Sequence, residues 1–461
     1  MTAVRLTIGL ALTAVALSTI RADDWPQWLG PRRDGVWRET GIVVDVPAAP
    51  KARWRTAIGA GYAGPAVAGN RVFVTDRLLP EGVQNPANPF ARGEIPGVER
   101  ILCLDDADGR ILWKHEYDCP YRISYPSGPR ATPLVADGKV YVLGAMGHLN
   151  CLDAGSGQVL WSKNFPRDFG APVPLWGFAA HPLLDGERLI CLVGGDGATV
   201  VAFHKDTGRE LWRSLSSGKL GYCPPTMIEH AGRRQLIIWE PEAVHGLDPE
   251  TGRPHWSIPF AVRSELSIPQ PRLEGDFLFL TSFYNGSLTL KLDRDKPSAT
   301  VVWKSKSASE RPDKTESLHS IMPTPIVRNG YVYGVCSYGQ LRCLELATGR
   351  RVWETMAATR RRVDGRMEPA DDRPSMQTER WANAFLVPQG DRDWLFNEHG
   401  DLIAAQLSPS GYKELGRVRI IEPDDPMAGR PVVWVHPAFA HRNIYVRNNR
   451  EIVSISLAAG K

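Results

Sequence analysis

The sequence predicts an all-β fold, an eight-bladed β-propeller of four-stranded antiparallel blades, and three observations support that prediction. A turn motif that ends in Trp recurs along the 461 residues. A second kind of turn, flanked by alternating apolar and polar residues, recurs eight times between these motifs. No segment keeps apolar residues at helical spacing for three turns. A repeat of about 50 residues built from short alternating runs is typical of propeller blades.

The amino-terminal residues predict export from the cytoplasm. Residues 1–5 form a short, positively charged start, and residues 6–20 form an apolar run. That run is short for a membrane span, and residues 20–22 resemble a cleavage site. We therefore expect a signal peptide over 1–22, a leader over 23–50 and a single propeller domain over 51–461. An uncleaved membrane anchor is the alternative.

The first turn motif has an acidic or other polar residue, two or three turn residues, Gly, three residues and then Trp. Gly accepts the positive φ that a tight hairpin requires, and short polar side chains bond to the local backbone. We expect Trp to lie on the outermost strand of its blade and to pack against the neighbouring sheet. The docking residues predicted in this way are Trp113, Trp161, Trp212, Trp256, Trp303 and Trp353, together with Trp54 upstream of the first blade.

The second turn predicts eight inner hairpins, seven of which have Gly at the turn. Only seven complete outer strands follow them. The segment 52–57, which contains Trp54, is the expected donor of the missing strand. The two ends of the chain would then pair in the last blade and remove an exposed sheet edge.

Two segments are longer than the repeat, residues 77–100 and 354–380. We expect both to be loops on one face of the disc. The run Arg360 to Arg362 in the second loop is interpreted as solvated rather than as an anion site.

Charge and cysteine content exclude several classes. The net charge is only +4, from 55 basic and 51 acidic residues, which argues against a nucleic-acid partner. Seven Cys occur without a CxxC pair, so a structural metal site is not expected. Cys119 and Cys223 lie in loops near Pro and are the candidate disulfide partners.

The turn-Gly-Trp repeat resembles the repeat of pyrroloquinoline-quinone (PQQ)-type propellers over roughly residues 50–461. The opening segment 24–35, DWPQWLGPRRDG, resembles the leader of secreted bacterial propellers of this kind. Quinoprotein alcohol dehydrogenases share the repeat, and so does the propeller lipoprotein of the outer-membrane barrel-assembly machine. The resemblance implies the fold and a periplasmic or secreted location, and for the dehydrogenase members it implies PQQ and calcium. This chain lacks the adjacent Cys pair of those dehydrogenases and any carboxylate-rich calcium constellation.

Candidate site residues follow from propeller geometry, because ligands bind near the channel on the face where the chain leads into each innermost strand. The side chains expected there are Tyr62, Tyr125, Arg130, Trp176, His181, Tyr222, Glu265, His319, Trp381, Asn383, Trp434 and His436. The three Trp residues could instead plug the channel. The three His residues could bind a transition metal or simply bond to loop backbone. Glu265 is the candidate base or cation ligand.

No compact catalytic motif is visible, which favours a protein without catalysis of its own. The predicted function is an extracytoplasmic platform for protein interaction or ligand binding, with envelope proteins or a small ligand at the channel mouth as partners. The alternatives are a PQQ-dependent dehydrogenase acting on alcohols or sugars and a carbohydrate-binding propeller. No transmembrane segment is expected after signal cleavage.

Overall fold

The computed structural model describes residues 23–43, 46, 50–363, 366–370, 373–377, 379–427 and 429–460. It contains eight four-stranded antiparallel sheets, which confirms the predicted eight-bladed propeller. Seven blades use four consecutive strands, and the eighth combines strands from both ends of the chain. The predicted signal peptide and Asp371–Asp372 lie outside the described residues.

Each blade extends outward from the channel, from an innermost to an outermost strand. In that order, blades 1 to 4 comprise Ala66–Ala68, Arg71–Leu78, Val98–Asp105 and Ile111–Asp118; Leu134–Ala136, Lys139–Leu143, His148–Asp153 and Val159–Asn164; Leu183–Asp185, Arg188–Leu192, Val200–His204 and Glu210–Ser214; Thr226–His230, Arg233–Trp239, Ala243–Leu247 and Pro254–Pro259. Blades 5 to 8 comprise Arg272–Glu274, Phe277–Ser282, Gly286–Leu292 and Ala299–Lys304; Ile326–Arg328, Tyr331–Val335, Leu341–Glu345 and Arg351–Thr355; Ala384–Gln389, Arg392–Asn397, Asp401–Ser408 and Gly411–Arg419; Ala438–Ala440, Asn443–Arg447, Glu451–Ser456 and Ala52–Ala57.

Other regular structure is sparse in the described part of the chain. The helices are the α-helix Phe165–Phe169 and the 3-10 turns Arg263–Glu265 and Pro312–Lys314. Two small ribbons lie between blades 6 and 7 and between blades 7 and 8. They pair Arg361–Val363 with Arg366–Glu368 and Asp425–Met427 with Arg430–Val432.

The ring is closed as the sequence predicts. The strand Ala52–Ala57 runs antiparallel to Glu451–Ser456, with Trp54 opposite Ser454. This pairing gives blade 8 its fourth strand, and it holds the two ends of the propeller chain in one sheet.

Six of the seven docking Trp residues pack on the turn of the next blade, and Trp256 is the exception. Gly109 has a φ of 75°, and a Cβ there would lie 2.5 Å from a ring carbon of Trp54. The indole N–H of Trp54 donates to the carbonyl of Asp106 at 2.8 Å. Gly109 is thus required both for the backbone conformation of its turn and for the close contact with the ring of Trp54. Trp256 differs, because the following turn lacks Gly, and its N–H donates to Gln235 Oε1 at 2.8 Å.

The leader crosses the central channel. Its backbone and side chains contact residues in or next to the innermost strands of four blades. These pairs are Trp25 with Val67, Pro26 with Val135, Arg33 with Pro182, and Trp37 with Pro388. In a ring of eight blades, blade 7 lies across the channel axis from blade 3. A segment that contacts both blades therefore crosses the channel and fills it. Trp28 and Leu29 are buried there.

Two expectations for side chains are wrong. Cys119 and Cys223 are separate, buried free thiols, so they do not form a disulfide. Cys119 Sγ lies 3.8 Å from His148 Nδ1 in blade 2, whereas Cys223 Sγ lies 3.6 Å from the carbonyl oxygen of Pro269 before blade 5. In the run Arg360 to Arg362, Arg361 and Arg362 are exposed as predicted, but Arg360 is buried, and its guanidinium bonds to the Glu379 carboxylate at 2.7 Å.

Candidate functional site

A cavity of about 480 Å³ opens on the face formed by the segments that lead into the innermost strands. We call it the mouth cavity. Every one of the eight lead-in segments contributes at least one lining residue, and the leader contributes Trp28. Of the twelve candidates from the sequence, the nine that line it are Tyr62, Tyr125, Arg130, Trp176, His181, Tyr222, Trp381, Trp434 and His436.

The structure does not place the other three candidates in the lining. Glu265 lies beside it, and its neighbours Ser264 and Leu266 line the cavity instead. His319 is fully buried behind the wall, where its Nδ1 bonds to the carbonyl of Phe283 at 3.1 Å. Asn383 is also buried, and its amide donates to the carbonyl of Trp381 at 3.2 Å.

The inner end of the cavity is formed by stacked rings. Trp28 lies parallel to His181, with ring centroids 4.5 Å apart, and meets the edge of His436 at 5.8 Å. Burial lowers the pKa of His181 well below its usual value, and burial with the nearby Arg272 lowers the pKa of His436 to about 3. The N–H of Thr132 donates to His181 Nδ1 at 2.9 Å. Both imidazoles are therefore neutral packing groups at physiological pH.

The outer wall is a run of aromatic rings. Phe90, from the long loop after the second strand of blade 1, lies 5.1 Å from Tyr125 and 6.4 Å from Trp381. Tyr125 in turn lies 6.5 Å from Trp434. The two insertions predicted from their length therefore meet at this face.

Backbone conformation holds two of these rings in place. Tyr125 and Trp381 have positive φ values of 56° and 67°, which non-glycine residues seldom adopt. The N–H of Tyr125 bonds to the carbonyl of Pro89 at 2.7 Å, and that of Trp381 to the carbonyl of Ser337 at 2.9 Å. Unfavourable backbone conformations persist only where surrounding contacts enforce them, so these contacts fix the positions of Tyr125 and Trp381 in the wall.

Three guanidinium groups lie against rings at the mouth. Arg130 is 5.3 Å from the centre of the Tyr62 ring, Arg263 is 4.1 Å from Tyr284, and Arg380 is 4.9 Å from Trp381. Only Arg380 of these three has an ion pair among the described residues, with Glu310 at 2.9 Å. Arg130 donates instead to loop carbonyls, including that of Ser124 at 3.0 Å.

Sequence reasoning missed several lining residues, notably Trp28, Phe90 and Arg380. They come from the leader and the insertions, which lie outside the repeat, so a periodic search could not find them. It also missed Asp425, a buried carboxyl in the ribbon between blades 7 and 8. Burial raises its pKa to about 6, and the hydroxyl of Tyr62 interacts with it.

The lining does not fit a quinone held with calcium. Calcium needs several oxygen ligands, which Asp, Glu, Asn and Gln side chains usually supply. The lining residues in the described chain include no Asp, Glu, Asn or Gln. The three candidate histidines do not converge on a metal site either. Among the described residues, the group of His and acidic side chains close enough to share an ion is Glu187, His204 and Asp206, far from the mouth on blade 3.

Three features define the class of this protein as a PQQ-like repeat β-propeller. They are the eight blades, the turn glycines that contact the Trp of the preceding blade, and the channel closed by the leader. The sequence profile of the family described as outer membrane protein assembly factor BamB matches residues 97–355, more than half of the chain. The chain therefore belongs to that family.

Three known proteins illustrate the range of similarity. BamB of Burkholderia pseudomallei is 25% identical over 273 residues, which cover 57% of this chain and 64% of that protein. A quinoprotein ethanol dehydrogenase of Pseudomonas putida is 26% identical over 160 residues, 29% of this chain and 23% of that protein. The crystal structure of a quinohemoprotein alcohol dehydrogenase from Comamonas testosteroni matches with a TM-score of 0.59 and 12% identity, covering 95% of this chain and 81% of that one.

These similarities extend over limited lengths. The chain spans less than two thirds of the length of the curated relatives first matched. The likeness to the solved dehydrogenase concerns the fold alone. None of the helices in the described residues has the length and apolar character needed to cross a membrane.

Proposed function

We propose that this protein is an extracytoplasmic propeller that serves as a binding platform for envelope proteins and uses the mouth cavity as its contact site. The single observation that carries the proposal is the cavity itself: an aromatic wall around about 480 Å³ that opens on the loop face. A concave, largely apolar surface of this size is the usual form of a binding site. The BamB family, named for outer membrane protein assembly, supports an envelope partner.

The chemistry of the lining favours binding over catalysis. A catalytic site needs a base or acid in reach of the substrate, and none of the described lining residues carries a carboxyl group. The imidazoles of His181 and His436 are half-buried and neutral, and both pack against Trp28. The indole N–H of Trp434 is already bonded to Glu398 at 2.9 Å. What the cavity offers a partner is therefore mainly aromatic surface.

Site-specific photocrosslinking tests the platform. A photoreactive residue in place of Phe90 lies at the mouth, and the matched control replaces the exposed Gln158 on a turn of the opposite face. We expect a discrete envelope-protein adduct from position 90 and none from position 158. Equal adducts from both positions, or none from either in the native host, would contradict the proposal.

The location has its own test. If residues 1–22 are a signal peptide, the protein purified from the native envelope begins at Asp23. Mass spectrometry of the amino-terminal peptide reads this directly. A protein that keeps its first 22 residues would favour the anchor, and recovery in the cytoplasmic fraction would contradict export.

The two alternative functions make different predictions. A PQQ-dependent dehydrogenase would bind the quinone with calcium, whereas a lining without carboxylates or amides predicts no saturable binding by calorimetry and no dye-linked oxidation of alcohols or sugars. A carbohydrate-binding propeller would use the faces of Trp176 and Trp381 for stacking. Sugar hydroxyls also need polar partners, which the lining provides sparsely, so we expect no glycan-array signal that the Trp176→Ala variant abolishes.

A further inference from the structure

A serine, a histidine and a glutamate form a hydrogen-bonded chain on blade 4, away from the mouth cavity. Ser257 lies on the outermost strand Pro254–Pro259, and His245 lies directly opposite it on the neighbouring strand Ala243–Leu247. The Oγ of Ser257 is 2.7 Å from His245 Nδ1, and His245 Nε2 is 3.2 Å from Glu240 Oε1. A hydroxyl, an imidazole and a carboxylate at these distances are the arrangement that activates a serine nucleophile.

Glu240 determines which ring nitrogen of His245 carries the proton. Its second carboxylate oxygen, Oε2, accepts the N–H of Glu242 at 2.8 Å and lies 2.9 Å from the hydroxyl of Ser217. A carboxylate only accepts hydrogen bonds, so the imidazole N–H that faces it is on Nε2. Nδ1 then has a lone pair, which accepts the O–H of Ser257. The carboxylate thus fixes the tautomer in which His245 can act as a base.

The accessibility of the three side chains suits these roles. Ser257 is exposed, His245 is half-buried and Glu240 is buried. A reactant can therefore reach the hydroxyl from outside, while the carboxylate is held in place by its surroundings. Ser217 belongs to the segment that follows blade 3, so the group lies where blades 3 and 4 meet.

Blade 2 offers an internal comparison. Ser162 follows Trp161 on the outermost strand of that blade, as Ser257 follows Trp256 on blade 4, and it is also exposed. It lies opposite Asn150, however, and not opposite a histidine. An amide does not take up a proton at neutral pH, so the serine of blade 2 has no base in the equivalent position.

The edge of blade 4 also supplies hydrogen-bond donors. The strand Pro254–Pro259 pairs with another strand on one side only, so alternate N–H groups along it point away from the sheet. Near the hydroxyl they belong either to Ser257 itself or to its neighbours Trp256 and Ile258, and none of these three donates to a group outside the sheet in the described chain. An unpaired backbone N–H beside the nucleophile is the kind of donor that stabilises the oxyanion of acyl transfer.

We propose that Ser257, His245 and Glu240 form a hydrolytic site that cleaves carboxylic esters accessible from the surface. His245 Nδ1 takes the hydroxyl proton as Ser257 Oγ bonds to the ester carbonyl carbon, and this proton passes to the alkoxide that leaves as its C–O bond breaks. A water molecule, deprotonated by His245, then attacks the acyl-serine. The acyl–Oγ bond breaks, the proton returns to Oγ, and the carboxylic acid leaves. Glu240 positions the imidazole and does not touch the substrate.

Labelling with a fluorophosphonate tests the nucleophile in the purified protein. Oγ of Ser257 forms a bond to phosphorus, fluoride leaves, and the hydroxyl proton goes to His245. We expect peptide mass spectrometry to find the adduct on Ser257, none on Ser162 and none in the Ser257→Ala variant. Hydrolysis of p-nitrophenyl acetate should fall at least about tenfold in that variant. The matched control Ser162→Ala should keep the parent rates of labelling and hydrolysis.

Further variants test the base and the residue that positions it. His245→Gln should lower the labelling rate of Ser257 at least about tenfold and remove its rise between pH 5 and pH 8, because a protonated imidazole cannot accept the serine proton. Glu240→Gln should lower the rate as well, whereas Glu240→Asp, which keeps a carboxylate, should restore part of it. Denaturation midpoints show whether each variant remains folded under the assay conditions.

Three results would overturn the inference: no adduct on Ser257, an equal adduct on Ser162, or an unchanged labelling rate in a folded His245→Gln variant. The inference goes beyond the platform function and does not depend on it. Photocrosslinking at position 90 reports on the mouth cavity alone, so the platform and the hydrolytic site can fail separately.

Discussion

His441 is the centre of an ion-pair network that joins the two ends of the propeller, and its charge state predicts how ring closure depends on pH. Its Nε2 lies 2.9 Å from Asp24 Oδ1 in the leader, and its Nδ1 lies 3.0 Å from Asp106 Oδ2 in blade 1. Asp106 also accepts hydrogen bonds from Tyr445 in blade 8 and Arg53 in the closing strand. The leader, blade 1, blade 8 and the closing strand are therefore linked through His441 and Asp106.

Each ring nitrogen of His441 faces one carboxylate, and this arrangement favours the charged imidazolium form. Hydrogen bonds that the imidazolium donates to Asp106 and Asp24 raise the pKa of His441 from 6.5 to about 9, although burial opposes the shift. A histidine whose pKa is higher in the folded than in the unfolded protein stabilises the fold in full at pH values below the unfolded pKa. This stabilisation is lost as the pH rises through the folded pKa. The side chain of His441 is 18% exposed. The shift in its pKa contributes about 3 kcal/mol to the free energy of unfolding at pH 6, about 1 kcal/mol at pH 8 and near zero above pH 10.

Chemical denaturation of His441→Gln between pH 6 and pH 10 measures this contribution. We expect the variant to lose about 3 kcal/mol at pH 6 and to approach the parent protein at the alkaline end. The control is His255→Gln, since His255 lies on an outermost strand and has no ion pair in the described chain. A deficit that stays constant with pH, or that grows toward alkaline pH, would refute the electrostatic explanation.

Two further predictions concern buried groups. Trp303 and Trp212 both pack on the turn glycine of the next blade, but the Trp303 N–H donates to a carbonyl at 2.8 Å, whereas the buried Trp212 N–H has no partner among the described residues. Trp303→Phe should therefore reduce the free energy of unfolding by about 1 kcal/mol more than Trp212→Phe, and equal losses would show that the bond contributes nothing. Asp425→Asn should raise the free energy of unfolding by up to about 3 kcal/mol at pH 8 and leave it unchanged near pH 3.5. The reason is that burial disfavours the ionised carboxylate in the folded protein, and this cost arises only at pH values above the pKa of Asp425 in the unfolded chain. Denaturation at both pH values checks this, and a gain at pH 3.5 would contradict it.

The candidate site contains residues that the sequence could predict and residues that it could not. Nine of the cavity residues were found because the turns locate each innermost strand, and the residues just before it must face the channel mouth. Glu265 was misplaced by one position, since the local 3-10 turn directs Ser264 and Leu266 to the cavity instead. His319 and Asn383 were misjudged because polarity near a strand start does not distinguish a lining side chain from one bonded behind the wall.

The amino-acid sequence by itself determined the blade count, the closing strand and the Trp docking, because these depend on local turn chemistry repeated along the chain. Only the tertiary structure decided that the leader fills the channel, that Cys119 and Cys223 stay apart, and that Phe90 and Arg380 meet at the mouth. Such contacts join residues far apart in the chain, and their partners are set by how eight sheets pack around one axis. A repeat predicts the unit and its order, whereas the segments outside the repeat acquire their positions from the assembled ring.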